Sequence, residues 1–188
     1  MSLDADLTLE DAPGPLSRAE YETLVRRGAL DGARAELLHG RIVTMSPQGE
    51  IHSYCVTELG RLLVPAIGRR ANVRVQMPLA AGTSEPEPDV AVVPPGDYLD
   101  GHPTTAWLVI EVADSSLERD RAKARVYAAA GVVEYWLVNL VGELVDVHAS
   151  PAPEGYGSVT RRARGETLRV PMLEDVEVSV TDFLPPHR

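Results

Sequence analysis

The chain has 188 residues and a net charge of −10, from 18 Lys and Arg against 28 Asp and Glu. An apolar fraction of 44% and a charged fraction of 24% suit one globular domain with a real core. The single cysteine rules out an intrachain disulfide, no apolar run is long enough to span a bilayer, and the acidic balance argues against metal-free, charge-driven binding to nucleic acid.

Residues 1–15 are acidic, contain Pro13 and Pro15, and are expected to form a flexible tail before a single domain over 16–188. Asp4, Asp6, Glu10 and Asp11 replace the basic start of a secretory signal, so a cytoplasmic location is expected. Ser17-Arg18-Ala19-Glu20 has capping-box form and predicts a helix to about Gly28. Ala35–Leu38 and Arg41–Met45 flank His39-Gly40 and predict a strand pair around a tight turn. Over 51–67, Cys55, Val56, Leu59, Leu62, Leu63 and Ile67 repeat at helical spacing, and Pro65 should disturb or end that helix. Cys55 lies on the apolar stripe and is taken as core.

Asn72–Leu79 alternates as a half-buried strand, followed by a Gly/Ser/Pro-rich loop over 80–88. Asp89 opens the apolar strand Asp89–Val93. After a loop over 94–105, long enough to act as a flap, comes the strand Trp107–Ala113. A helix over Leu117–Ala130 follows, capped by Ser115 or Ser116 and ended by Gly131. Glu134–Asn139 is the next strand. Leu144–His148 and Val159–Arg169 suggest antiparallel meander strands, and Val176–Phe183 a last strand or turn. Strand–helix–strand over 107–139 has the length of a parallel crossover, so the expected fold is α/β, with a mixed central sheet flanked by helices and a C-terminal antiparallel hairpin extension.

Glu111 stands in the middle of an apolar strand, where an unpaired carboxylate costs several kcal/mol or becomes neutral, on the order of magnitude of any buried charge. Asp89 is presented in a similar way. Asp120, Lys123 and Tyr127 follow at i, i+3 and i+7 and share one helix face, which can bring Lys123 toward Glu111. Two strand-borne carboxylates and a lysine are what metal-assisted phosphodiester cleavage needs. Asp89 and Glu111 would hold a hard cation, Mg2+ with Mn2+ as a substitute, and the Val112 carbonyl could complete the set. Glu36 could reach the metal, and His52 could position water or carry a proton. Gln76 is a weaker candidate. Tyr127 is read as packing, and His39, His102, His148 and His187 as surface. Each residue also has a plain alternative: a strand-start aspartate, a buried ion pair, or a solvated lysine.

The run Glu36-Leu37-Leu38-His39-Gly40-Arg41-Ile42-Val43-Thr44-Met45-Ser46-Pro47, then His52, resembles the opening signature of the Uma-two family, grouped with restriction endonucleases in the PD-(D/E)xK nuclease superfamily. The resemblance continues through Glu87-Pro88-Asp89-Val90, Val109-Ile110-Glu111-Val112, Asp120-Arg121-Ala122-Lys123 with Tyr127, and Gly131–Val138, and spans about residues 18–184. It implies a restriction-endonuclease-like fold, with Asp89 and Glu111 as metal ligands supported by Glu36, His52 and Lys123. The usual superfamily lysine, two residues after the acid, is replaced here by Ala113, and Lys123 would be its migrated equivalent. Asp114 departs from the family's Ser-Pro after the acidic strand; it could bind a second metal or cap the helix, and the cap is favoured.

The expected activity is that of a magnesium-dependent endodeoxyribonuclease: hydrolysis of DNA, double-stranded, by metal-activated water. A homodimer or higher homo-oligomer would serve cleavage of both strands. The alternatives are a catalytically silent nuclease-fold module that binds nucleic acid or protein, and a hydrolase using a carboxylate pair on another substrate.

Overall fold

The computed structural model describes residues 14–45, 47–114 and 116–187. Its elements are α1 (Arg18–Arg26), β1 (Ala35–Leu38), β2 (Arg41–Thr44), α2 (Glu50–Ile67), β3 (Asn72–Val75), β4 (Val90–Val93), β5 (Leu108–Ala113), α3 (Leu117–Ala129), β6 (Glu134–Asn139), β7 (Leu144–Ala152), β8 (Gly155–Ala163), β9 (Thr167–Val170), β10 (Leu173–Ser179) and α4 (Val180–Phe183). Strands β3-β4-β5-β6-β7-β8 form one six-stranded sheet in chain order. All its pairs are antiparallel except β5–β6, which is parallel and joined by α3. This is the mixed sheet that the strand–helix–strand spacing predicts. The expected flexibility of the first fifteen residues falls mainly on residues 1–13, outside the described residues.

Side-chain alternation gives the sheet two apolar faces. Val90, Val92, Leu108, Ile110 and Val112 pack with Cys55, Leu59 and Leu63 of α2, and the β9–β10 hairpin and α4 add Leu168, Val170 and Phe183 to that layer. Ala91, Val93, Val109 and Ala113 face the other way, toward Ala124 and Tyr127 of α3. Glu111 lies between Val109 and Ala113 in the alternation, so β5 delivers its carboxylate to the α3 side. All six residues of β5 are buried. Each large aliphatic side chain there contributes roughly 1.5–3 kcal/mol of burial, which holds the strand in place around its one charge. Burial and the negative charge of Asp89 push the Cys55 thiol up to about 12, consistent with its place in the core.

Several boundaries differ from expectation. Pro65 lies inside α2, which continues to Ile67. Proline removes one amide donor and crowds the preceding turn, but only the last turn is affected, and the Gly68 N–H closes it on the Val64 carbonyl. The 72–79 strand stops at Val75, because Gln76 takes a left-handed φ of 52°. Strand β7 runs past the expected His148 to Ala152 and pairs with β8 in one register from Leu144↔Ala163 to Ala152↔Gly155, interrupted at the left-handed Ser150, and both belong to the central sheet; the expected strand Val159–Arg169 is divided, ending at Ala163 and resuming as β9 at Thr167. The separate hairpin is β9–β10. Asp114 does not cap α3. Ser116 occupies the cap position, and its hydroxyl donates to the Asp120 carboxylate rather than accepting from the helix backbone.

The β1–β2 hairpin is tied to the 80–88 loop by reciprocal backbone bonds, Leu37 N–H to Glu85 O at 3.2 Å and Glu85 N–H to Leu37 O at 2.7 Å. That junction buries the Glu85 side chain, and its nearest cation, Arg18, is 3.8 Å away. Burial, then Glu22 beside it, raises its pKa to about 7, against some opposition from Arg18. A carboxyl with a raised folded-state pKa costs nothing below its unfolded value near 4.5; the penalty grows as pH rises to about 7 and is constant above. Glu85→Gln is therefore expected to gain on the order of 2 kcal/mol over wild type in urea unfolding at pH 8, and nothing at pH 4. An equal difference at both pH values would refute this account of Glu85.

Candidate active site

Asp89 stands immediately before β4, where the β4–β5 ladder runs out: the last paired residues are Val90 and Ile110. The position of the next rung is filled by a side chain, since the Val112 N–H donates to Asp89 Oδ2 at 2.9 Å. In an extended strand the N–H and C=O of one residue point to the same edge, so the Val112 carbonyl is directed to this side as well. His52, in the first turn of α2, places Nε2 3.0 Å from Asp89 Oδ2. Gln48 Nε2 approaches Asp89 Oδ1 at 3.4 Å. The Gln76 backbone N–H donates to the Asp89 carbonyl at 3.1 Å; its side chain does not line the site.

Glu111 meets α3. The parallel crossover lays the helix over the sheet face that carries Glu111, and the i, i+3, i+7 spacing turns three polar groups inward together. Lys123 Nζ donates to Glu111 Oε1 at 3.0 Å and lies 2.9 Å from Glu36 Oε2 and 3.9 Å from Asp120 Oδ1. The Tyr127 hydroxyl donates to the same Glu111 Oε1 at 2.5 Å. Both bonds fall on Oε1, which leaves Oε2 outside this network. Glu36 also accepts the Glu87 N–H at 3.3 Å, and its Oε1 is buried without a partner among the described residues.

Glu36, Asp89, Glu111 and Asp120 are all buried, against one buried ammonium, Lys123. Burial raises the Glu111 pKa to about 8; Lys123 opposes this, and Asp89, Asp120 and Glu36 add to it. Burial also raises Asp120, with the Ser116 hydroxyl and Lys123 opposing. For Lys123, burial alone would lower the pKa, but Glu111, Glu36 and Asp120 reverse this and hold the ammonium firmly protonated. Tyr127 is pushed far up by burial and by Glu111, and stays a hydrogen-bond donor.

These groups open into a cleft of about 590 Å³, whose lining includes His52, Asp89, Glu111, Val112, Asp114 and Lys123. Arg34, Gln48, Glu87 and Arg119 line it too. The donor set suits a hard divalent cation: carboxylate oxygens, a strand carbonyl and an excess of buried negative charge. Among the described residues no three His, Cys, Asp or Glu side chains form a complete cage, so a cation here would use Asp89, Glu111 and backbone or solvent oxygens.

The structure thus brings Asp89, Glu111, Lys123 and His52 to one cleft, while Glu36 is fully buried behind Lys123 and does not line it. Two further groups join Glu111 and Lys123. Tyr127, read as packing, does pack against Tyr135, with ring centroids 5.1 Å apart and the rings tilted by 45°, but its hydroxyl also holds Glu111. Asp120 completes the carboxylate set around Lys123. The helical spacing already linked both to Lys123. Gln48 carried no signal, because a loop residue four positions before His52 has no periodicity to read. His52 Nε2 meets Asp89, and its Nδ1 is buried without a partner among the described residues.

The family model of Uma2, described as "Putative restriction endonuclease", matches residues 18–181. Among solved structures, a "putative nuclease belonging to DUF820" from Anabaena variabilis superposes with a TM-score of 0.67 at 18% identity, covering 80% of this chain and 89% of that one. That likeness shows a shared fold. The type IIG restriction endonuclease BpuSI is similar at 18% identity and a TM-score of 0.40, over 71% of this chain and 15% of that one. No curated protein matches the chain.

Proposed function

This chain belongs to the Uma2 family, and we propose that it is a divalent-metal-dependent endonuclease that hydrolyses phosphodiester bonds of double-stranded DNA. The observation that carries the reading is the convergence of Asp89 and Glu111 from adjacent strands on one cleft, with Lys123 bonded to Glu111. The family's description supports DNA as the substrate.

Asp89, Glu111 and the Val112 carbonyl would hold Mg2+, or Mn2+ in its place. Bound there, the ion supplies Lewis acidity for a phosphate oxygen and acidifies water. The protein's own groups do the rest. The Val112 N–H and His52 fix the Asp89 carboxylate from two directions. Lys123 and Tyr127 both grip Glu111 Oε1, which sets the orientation of Oε2. Lys123 keeps a positive charge beside the attacked phosphate, where negative charge develops as water adds and the bond to the leaving oxygen breaks. The proton lost by the water is balanced by the one the leaving oxygen gains. Glu36 fixes Lys123 from the far side. Cleavage of both strands calls for two such clefts, hence a dimer of this chain.

The acidic balance favours a second reading, a nuclease-fold binding module without activity. Supercoiled plasmid separates the two. Wild type is expected to nick it with Mg2+ or Mn2+ and to stop when EDTA is added. A protein that binds DNA and neither takes up Mn2+ nor nicks would establish the binding module instead.

A further inference from the structure

The central sheet ends on an open edge at β8. This strand runs nine residues and is bonded in the sheet only to β7. Residues Gly157 to Arg161 are exposed on both alternating faces, with Val159 at 54%. Long straight edges of this kind recruit other strands unless they are blunted. The opposite edge is blunted: β3 has four residues, and the left-handed Gln76 ends it. Strand β8 contains no proline, and its pairing with β7 keeps one register from Leu144↔Ala163 to Ala149↔Ser158.

The direction of its free groups can be read from one end. The Ala163 N–H donates to the Glu166 carboxylate at 2.8 Å, and its carbonyl accepts from the Glu166 N–H at 3.1 Å. Residue 163 therefore points away from β7, and by strand alternation so do the N–H and C=O of Gly157, Val159 and Arg161; of these, the Arg161 carbonyl accepts from the exposed Arg162 guanidinium at 2.9 Å, a contact an added strand would displace. We infer that β8 is the seam where a second copy of this chain adds antiparallel to the sheet, with the two-fold axis through Val159. In that register Val159 faces its own copy, Gly157 faces Arg161, and Tyr156 faces Arg162. No charge meets a like charge, and Arg161 is already compensated by Asp146 at 2.9 Å. Moving the axis two residues on would put Arg161 against itself. Two-fold contacts require this self-complementarity, and the result is one continuous sheet across both copies. The seam does not depend on the nuclease reading; it stands or falls on assembly alone.

Light scattering after size exclusion, with circular dichroism as the check on folding, tests it. Wild type is expected at twice the chain mass of 20.3 kDa. Val159→Lys sets two ammonium groups face to face and is expected to weaken association at least about tenfold, with like charges directly opposite destabilising. Val159→Pro removes one outward N–H and leaves the β7 ladder intact, and is expected to be monomeric with an unchanged spectrum. If the proline variant misfolds, Val159→Cys decides: oxidation should link the two copies through the axis, because the native Cys55 is buried. A wild type that stays monomeric, a dimer that survives Val159→Lys, or no cross-link through Val159→Cys would overturn the proposal.

Discussion

Glu111→Gln is expected to lose metal-dependent plasmid cleavage by on the order of 10³-fold or more, about 4 kcal/mol of transition-state stabilisation. The substitution is nearly isosteric. Its amide oxygen can still accept from Lys123 and Tyr127, but the charge that would hold a cation is gone. Stability should move the other way. Burial already holds the Glu111 pKa up to about 8, so near neutral pH the protein pays to ionise this group, and a neutral side chain removes that cost. In metal-free buffer Glu111→Gln should unfold at or above the wild-type temperature, whereas added Mn2+ should raise the midpoint of wild type alone. Nicking rates and thermal midpoints measured side by side thus separate a lost ligand from a lost fold. A Gln variant that nicks at the wild-type rate in Mg2+ would remove Glu111 from the site.

Lys123→Met carries the largest expected cost in stability. It leaves Glu36, Glu111 and Asp120 buried with no ammonium among them. Breaking a buried ion pair by removing one partner typically costs about 3–5 kcal/mol, and here one cation serves three acids. The loss should depend on pH with a definite sign. Burial already raises Glu111 and Asp120 against the opposition of Lys123, so without the ammonium they fold neutral at low pH and at a greater penalty at high pH; the difference from wild type should shrink as pH falls from 8 toward 5. Adding Glu36→Gln should recover part of the loss, as expected of coupled neighbours. Urea unfolding of the single and double variants at both pH values measures this. A single variant with wild-type stability at pH 8 would show that the ammonium does not hold the carboxylate cluster together. Cleavage should fail with Lys123→Met as well, because Glu111 loses one of the two groups that orient it.

The parts of this architecture visible in sequence are those with a short-range signature. The capping box at Ser17 and Glu20, the apolar run around Glu111 and the 107–139 crossover each specify their elements locally, and the structure agrees with all three. The carboxylates at 89 and 111 stood out because apolar strands tolerate a charge only for a reason. The rest is set by contacts distant in sequence. Gln48 meets Asp89 across 41 positions. Strand β7 extends to Ala152, although its last residues carry little apolar alternation, because β8 pairs with them. Helix α2 passes through Pro65 because packing of Leu59, Leu63 and Ile67 outweighs one lost bond in the last turn. Asp114 failed as a cap because Ser116, two residues on, holds that position.

The origin of the lysine on α3 rather than on β5 has a consequence for a chain still being synthesised. The acids emerge on strands, at Asp89 and Glu111, but the ammonium reaches them only once α3 has docked. Docking needs β6, which closes the crossover and supplies Leu137 and Tyr135 beneath the helix. Domains are made from the N-terminus at some 5–20 residues per second, so a ribosome-bound chain that ends before Asn139 carries every polar group of the cleft and still lacks the assembled cleft. A cell that makes this protein therefore meets the assembled cleft only as a finished fold, never as a loose segment.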